Sequence, residues 1–270
     1  MTANENKSEF SLLRQAPVVL RARGFRLYTQ GGRHLRLIDL WLNGGAAVLG
    51  HTPANMLREL KNAASRGLYA PFPHFTEGRF LKALSRLFPK RCFRLYAAPP
   101  PELAALFNSG EAGLWRPFTD PASPFAAEEN SPFFVPVLPG IQLWRGNLPT
   151  GLCVVVCESE DRLAQLPPGD ILPPVLLAAA ARGIHDLFAS PERAKPTLPR
   201  VFKALQKSLW KCRGIYLYPK EKPENGEWAA LFNKFLEAGF LLPPIPSQPL
   251  ILPGELSPGE DAKLAAMLSP

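Results

Sequence analysis

The sequence predicts an α/β fold, at the border with α+β, and three observations carry that reading. Short apolar runs of strand character alternate irregularly with segments of helical period. The hydrophobic share, 46% against 20% charged, is ordinary for a chain that buries a core, and 270 residues suffice for one large domain or two small ones. The 31 prolines, about twice the average share, gather at 97–101, 117–139, 167–174 and 243–258 and punctuate the chain without forming a repeat. Each cluster stops regular structure, because proline lacks an N–H and pushes its predecessor into extended backbone.

Taken in order, residues 18–22, 25–29 and 34–40 read as short strands, with glycines in the QGGR turn at 30–33 where a hairpin needs positive φ. Pro53 suits a first helical position, and Met56, Leu57, Leu60 and Ala64 recur at helical spacing. A second helix over 76–88 puts Phe80, Leu81, Leu84 and Leu87 on one face. RCFRLYAA at 91–98 reads as a strand and 102–107 as a short helix. From 110 to 131 no period is sustained, so a long loop is expected. Strands follow at 133–138 and 152–157, then the apolar helix 173–189. Another helix, 199–211, leads into the strand 213–219; residues 227–238 are helical and close at Gly239. A short strand at 250–253 precedes the last helix, which Ser257 and Glu260 open as a capping box.

A net charge of +8 and a pI near 9.5 raise the question of nucleic acid. The arginines scatter, with modest clusters at Arg21–Arg36 and Lys203–Arg213, which fits a solvated basic surface better than a binding stripe. The N-terminus is polar, and no run approaches the roughly eighteen apolar residues of a membrane span, so a cytoplasmic protein is expected. Cys153 and Cys157 share one face of a strand, too far apart for a direct disulfide, and read as small core residues. His34, His51, His74 and His185 show no ligand spacing, so no metal site is expected. A pairing of Cys157 with His185 is spatially open but carried by no motif. The five tryptophans and 17 phenylalanines fit a core and interfaces.

Between Val19 and Pro53 the chain reads VLRARGFRLYTQGGRHLRLIDLWLNGGAAVLGHTP. Here Gly32, Arg33, Asp39, Gly50, His51 and Pro53 resemble the opening motif of class III aminotransferases, pyridoxal-phosphate (PLP) enzymes of fold type I. Two residues are inserted before Asp39, and Asn43 stands where the family has its first glycine after the aspartate. In that family the matched positions shape the chain around the active-site mouth and the subunit interface and do no chemistry. The order and character of the C-terminal half are similar to the family's small domain.

The resemblance implies a reduced PLP-dependent transferase fold with the small domain largely kept and the large domain much shortened. The expected organisation is a flexible terminus at 1–15, the N-terminal segment of the small domain at 16–90, a remnant of the central domain at 91–170 and the rest of the small domain at 171–270. In the family a serine-glycine pair at a helix N-terminus cups the PLP phosphate; here Pro99, Pro100 and Pro101 occupy that place. The competing NSGEA at 108–112 leaves Ser109 and Gly110 as weak vestigial candidates, one residue short of the pattern. The family also needs a lysine among the middle strands, and none occurs between Arg91 and Arg193.

The sequence thus points to an aminotransferase-like pseudoenzyme with no catalytic residues and no bound cofactor, acting by binding a ligand or a protein partner. A homo-oligomer or an aminotransferase-like partner chain is the expected company. Two alternatives stand beside it. One is a PLP-dependent aminotransferase using an atypical lysine or completed by a second chain. The other is a basic nucleic-acid-binding protein.

Overall fold

A computed structural model describes residues 11–31, 34–126, 131–221 and 223–269. The chain opens with β1 (Val18–Arg23), β2 (Arg26–Gln30) and β3 (Arg36–Asp39), followed by α1 (Ala54–Ser65) and α2 (Thr76–Leu87). Next come β4 (Cys92–Tyr96), α3 (Pro101–Ser109), β5 (Ala112–Trp115) and β6 (Phe133–Pro136). The hairpin β7 (Leu143–Arg145) and β8 (Leu148–Thr150) precedes β9 (Cys153–Cys157), α4 (Glu160–Leu163) and α5 (Pro174–Phe188). The last part holds α6 (Pro199–Leu205), β10 (Trp210–Arg213), β11 (Tyr216–Pro219), α7 (Asn225–Glu237), β12 (Phe240–Leu241), β13 (Leu250–Ile251) and α8 (Pro258–Leu268).

Two expectations give way. The stretch 110–131 is not one loop, because it contains β5, whose four residues are too few to show a period. Pairing with β6 holds it, and it buries Ala112 and Trp115. The helix expected to 211 ends at Leu205. The buried Ser208 hydroxyl donates to the Leu205 carbonyl and accepts from the Trp210 N–H, which turns the chain into β10. Trp210 then packs edge-on against Trp228 at 6.5 Å, a tertiary contact that overrides local helical preference. The β7–β8 hairpin, three residues a side, gave no signal in the sequence. Of the terminus expected to be flexible, residues 1–10 lie outside the described residues, and Leu12 is buried.

The chain packs as two units. The first takes residues 1–52, 118–122 and 192–270, the second 53–117 and 123–191. The borders drawn from sequence at 90 and 171 therefore fall inside the second unit, where α1 and α2 both pack on α5.

In the first unit β1, β2 and β3 form an antiparallel meander, and β12 joins β3 in parallel. A second sheet, β10–β11–β13, is antiparallel. Its Ile251 donates to the Leu40 carbonyl at 2.7 Å, which links it to the end of β3. Arg193 clips the same region from inside. Its buried guanidinium donates to the Val48 and Leu252 carbonyls and lies 5.1 Å over the Phe25 ring, and burial lowers it to about 10. One of its nitrogens, Nη1, finds no acceptor among the described residues.

In the second unit the sheet order is β4–β9–β6–β5, with only β5 and β6 parallel. Alternation along β9 divides two cores. Val154 and Val156 pack with Phe80, Leu84, Leu177 and Ile184, under α2 and α5. Cys153, Val155 and Cys157 pack with Leu103 and Leu163, under α3 and α4. The side chain at 183 would stand 2.3 Å from the Pro139 carbonyl, so glycine there lets α5 lie close.

The capping box expected at Ser257–Glu260 is present and extends into a network. Glu260 accepts from Arg26 at 2.7 Å and from Arg36 at 3.1 Å. Burial pushes its carboxyl up, but the Arg26 bond and the Ser257 backbone and hydroxyl bonds outweigh that and hold it at about 2. Because this lies below the ordinary 4.5, the stabilisation is present above 4.5 and is lost as pH falls toward 2. Glu260→Gln should cost about 1 kcal/mol at neutral pH, as expected of a partly exposed pair. In denaturant titrations the gap to the parent should close on acidification; a gap independent of pH would contradict the pairing.

Candidate functional site

Of the motif residues, Asp39 and His51 meet at one buried carboxylate, with Gly50 beside them. Asp39, at the end of β3, is 2% exposed, and its Oδ1 accepts from the Trp41 N–H at 2.8 Å and the Leu42 N–H at 2.9 Å. Its Oδ2 meets His51 Nε2 at 2.8 Å. A carboxylate so buried is tolerable only when its oxygens are satisfied, and here three donors converge on it. The chain turns sharply to supply them: Leu42, Asn43, Gly44 and Gly45 all have positive φ. Gly50, at φ +90°, lies where a Cβ would stand 3.1 Å from the Gly24 backbone. That close approach lets Gly24 and His51 pair through their backbones.

Asp39, Gly50 and His51 thus lock the loop after β3 onto the β1–β2 turn. Pro53 stands at the N-cap of α1, one residue before the position expected for it. Gly32 and Arg33 lie outside the described residues. An aspartate that orients an imidazole is half of a nucleophile-activating pair. The other half is missing: among the described residues no hydroxyl or thiol bonds to His51.

The start of α3 is the second place where chemistry was sought. Pro99, Pro100 and Pro101 bring no N–H to this end, and the N–H groups of Leu103 and Ala104 close on the Pro100 carbonyl. Glu102 adds a negative charge in the first turn. Asp170 takes the Ala97 N–H at 2.8 Å, where β4 runs out. With no N–H on the prolines and those of Leu103 and Ala104 taken, few donors remain for an anion here, and Glu102 sets a carboxylate in the first turn. Ser109 and Gly110 lie at the opposite end of α3, its carbonyl pole. The Ser109 hydroxyl donates to the Leu106 carbonyl and to Glu111 Oε1. A helix C-terminus repels an anion, so this end offers no phosphate cup.

A lysine reactive toward a carbonyl must be desolvated. Every described lysine is exposed, including Lys61, Lys82 and Lys90 in the second unit. Among the described residues no lysine is desolvated, and the start of α3 lacks the paired N–H donors that a PLP phosphate cup would need. The thiols offer no substitute chemistry. All four cysteines are free, and burial pushes the Cys153 thiol up to about 12. Cys157 packs under α3 and α4, whereas His185 is on α5 across the sheet, so the pairing left open by sequence does not form. No group of three metal-ligating side chains occurs among the described residues, and none of their helices is long and apolar enough to cross a membrane.

Comparison with known proteins places the fold. No family model matches the chain. It is 28% identical over 293 aligned residues to an uncharacterized protein of Treponema pallidum (strain Nichols), covering 90% of this chain and 91% of that one. An omega-transaminase from Sphaerobacter thermophilus superposes with a TM-score of 0.63 at 10% identity, over 93% of this chain and 90% of the transaminase. A glutamate-1-semialdehyde-aminomutase from Pseudomonas aeruginosa PAO1 gives 0.62 at 14% identity, over 93% and 86%. The mixed α/β architecture resembles that of these two proteins, and the likeness is one of fold.

The Asp39 hub sets measurable stakes. Asp39→Ala leaves two buried N–H groups and an imidazole without their acceptor, and should cost about 3 kcal/mol. Gly50→Ala adds a Cβ against backbone at positive φ and should cost at least about 1 kcal/mol. Urea unfolding of both variants checks this, and losses under about 0.5 kcal/mol, the range of bland surface changes, would contradict it.

Proposed function

We propose that this chain keeps the aminotransferase fold as a binding scaffold and does not perform transamination. The observation that carries the reading is the exposure of every described lysine, joined to a sequence without lysine between Arg91 and Arg193. A solvated amine is protonated at neutral pH and is a poor nucleophile. The prolines at the start of α3, with Glu102 and Asp170 beside them, support the same reading from the phosphate side.

On this proposal the central part is a pared-down large domain, its sheet reduced to β4, β9, β6 and β5. Both faces of that sheet are filled with apolar side chains, so the unit holds its shape without a cofactor. The Asp39–Gly50–His51 lock is then retained for its architecture. The protein acts in the cytoplasm on a bound ligand or a partner, either a second copy of itself or an aminotransferase-like chain.

The experiment is spectroscopic. Full-length protein incubated with PLP and passed through a desalting column should show no visible absorption from a lysine-bound cofactor and no amino-group transfer from common amino donors. A retained visible band that disappears on replacing one lysine by alanine would overturn the proposal.

A further inference from the structure

We infer that the cavity bounded by α1, α2 and α5 binds a small molecule carrying two or more phosphate groups, an inference that rests on the binding role proposed above and gives it a ligand class. The cavity lies wholly within the second unit and encloses about 930 Å³, within the size range of ligand sites. Its wall carries five full cations, Arg66, Arg79, Lys82, Arg86 and Arg182, against one carboxylate, Glu59. Two imidazoles, His74 and His185, and the neutral polar residues Asn62, Thr76 and Ser85 complete the polar lining.

Arg66, Arg79, Lys82 and Arg86 are open to solvent, yet they converge on one concave wall. Arg79, Lys82 and Arg86 recur at spacings of three and four along α2, so they share one face of the helix. Like charges at those spacings destabilise a helix modestly, and no ion pair among the described residues offsets them. Among the described residues no carboxylate comes within ion-pair distance of Arg66, Arg79, Lys82 or Arg86. Arg182 alone is paired, with Asp186 at 2.6 Å. A concave wall of one sign focuses its field into the cavity and favours a multiply charged anion there.

The guanidinium groups are also pre-positioned. Arg79 lies 5.1 Å over the Phe75 ring and Arg86 lies 4.6 Å over the Phe188 ring, contacts that limit where their planes can go. Planar guanidinium forks match phosphate oxygens two at a time. His74 Nδ1 accepts from the Thr76 N–H at 3.3 Å, which places the ring proton on Nε2 as a further donor. Phe75, 60% exposed beside these donors, offers a flat apolar face to an organic ring attached to the phosphates. Because the cations enclose a cavity and do not run in a stripe along the surface, a small molecule fits better than a nucleic-acid strand.

The test is calorimetric titration of the full chain at low salt with adenosine triphosphate, inorganic triphosphate and adenosine. Both triphosphates should bind saturably at one site per chain, and adenosine should not. Arg79→Gln/Lys82→Gln/Arg86→Gln, with folding checked by circular dichroism, should weaken binding at least about tenfold. Lys203→Gln/Lys207→Gln removes charge from the first unit and should bind like the parent. The inference is overturned if no saturable binding is seen, if adenosine binds as tightly as its triphosphate, or if both variants lose affinity equally. It also falls if a single-stranded oligonucleotide displaces the triphosphate at far lower concentration. Failure here leaves the absence of a lysine-bound cofactor untouched, and a lysine-bound cofactor would leave this cavity untouched.

Discussion

A carboxylate in a dry place must have its oxygens met, and the first unit is arranged around doing so for Asp39. Two backbone N–H groups and the His51 ring converge on it, and the chain accepts four consecutive positive-φ residues to bring them there. The His51 backbone then pairs with Gly24, which only a glycine at 50 permits. Loop, hairpin turn and the end of β3 are held by one charge. Loss of any donor leaves the others organised around a group that would prefer water.

This arrangement separates architecture from chemistry. The residues that resemble an aminotransferase motif are those that fix the backbone, and they remain tied together by hydrogen bonds and close approach. On the function proposed above, the groups that would hold and activate a cofactor are gone: the start of α3 carries prolines, which have no N–H to donate, with Glu102 in its first turn, and every described lysine is exposed. The sheet of the second unit is covered on both faces by apolar side chains of the helices.

Much of this was legible in the sequence, and the parts that were not have physical reasons. Long helices declared themselves by period, and Ser257–Glu260 by its capping chemistry, because those signals are local. Asp39, Gly50 and His51 stood out as a motif, but their mutual hydrogen bonding did not, since it joins residues twelve apart through a turn with no regular pattern. β5 and the β7–β8 hairpin were invisible because three or four residues cannot establish a period. The packing of α5 on α1 and α2 was not legible, because an apolar helix looks the same in sequence whichever element it covers. Arg193 carried no signal, for a buried cation satisfied by carbonyls is distant from its acceptors in sequence. The cations of α2 were readable as a face, yet their convergence with Arg66 and Arg182 required the fold.

The central proposal is that no described lysine of this chain is placed to hold PLP. Borohydride reduction of the protein after incubation with micromolar PLP, followed by peptide mapping in a mass spectrometer, tests it most directly. The account predicts only trace pyridoxyl labelling spread over many exposed lysines. Stoichiometric labelling of a single lysine would contradict it.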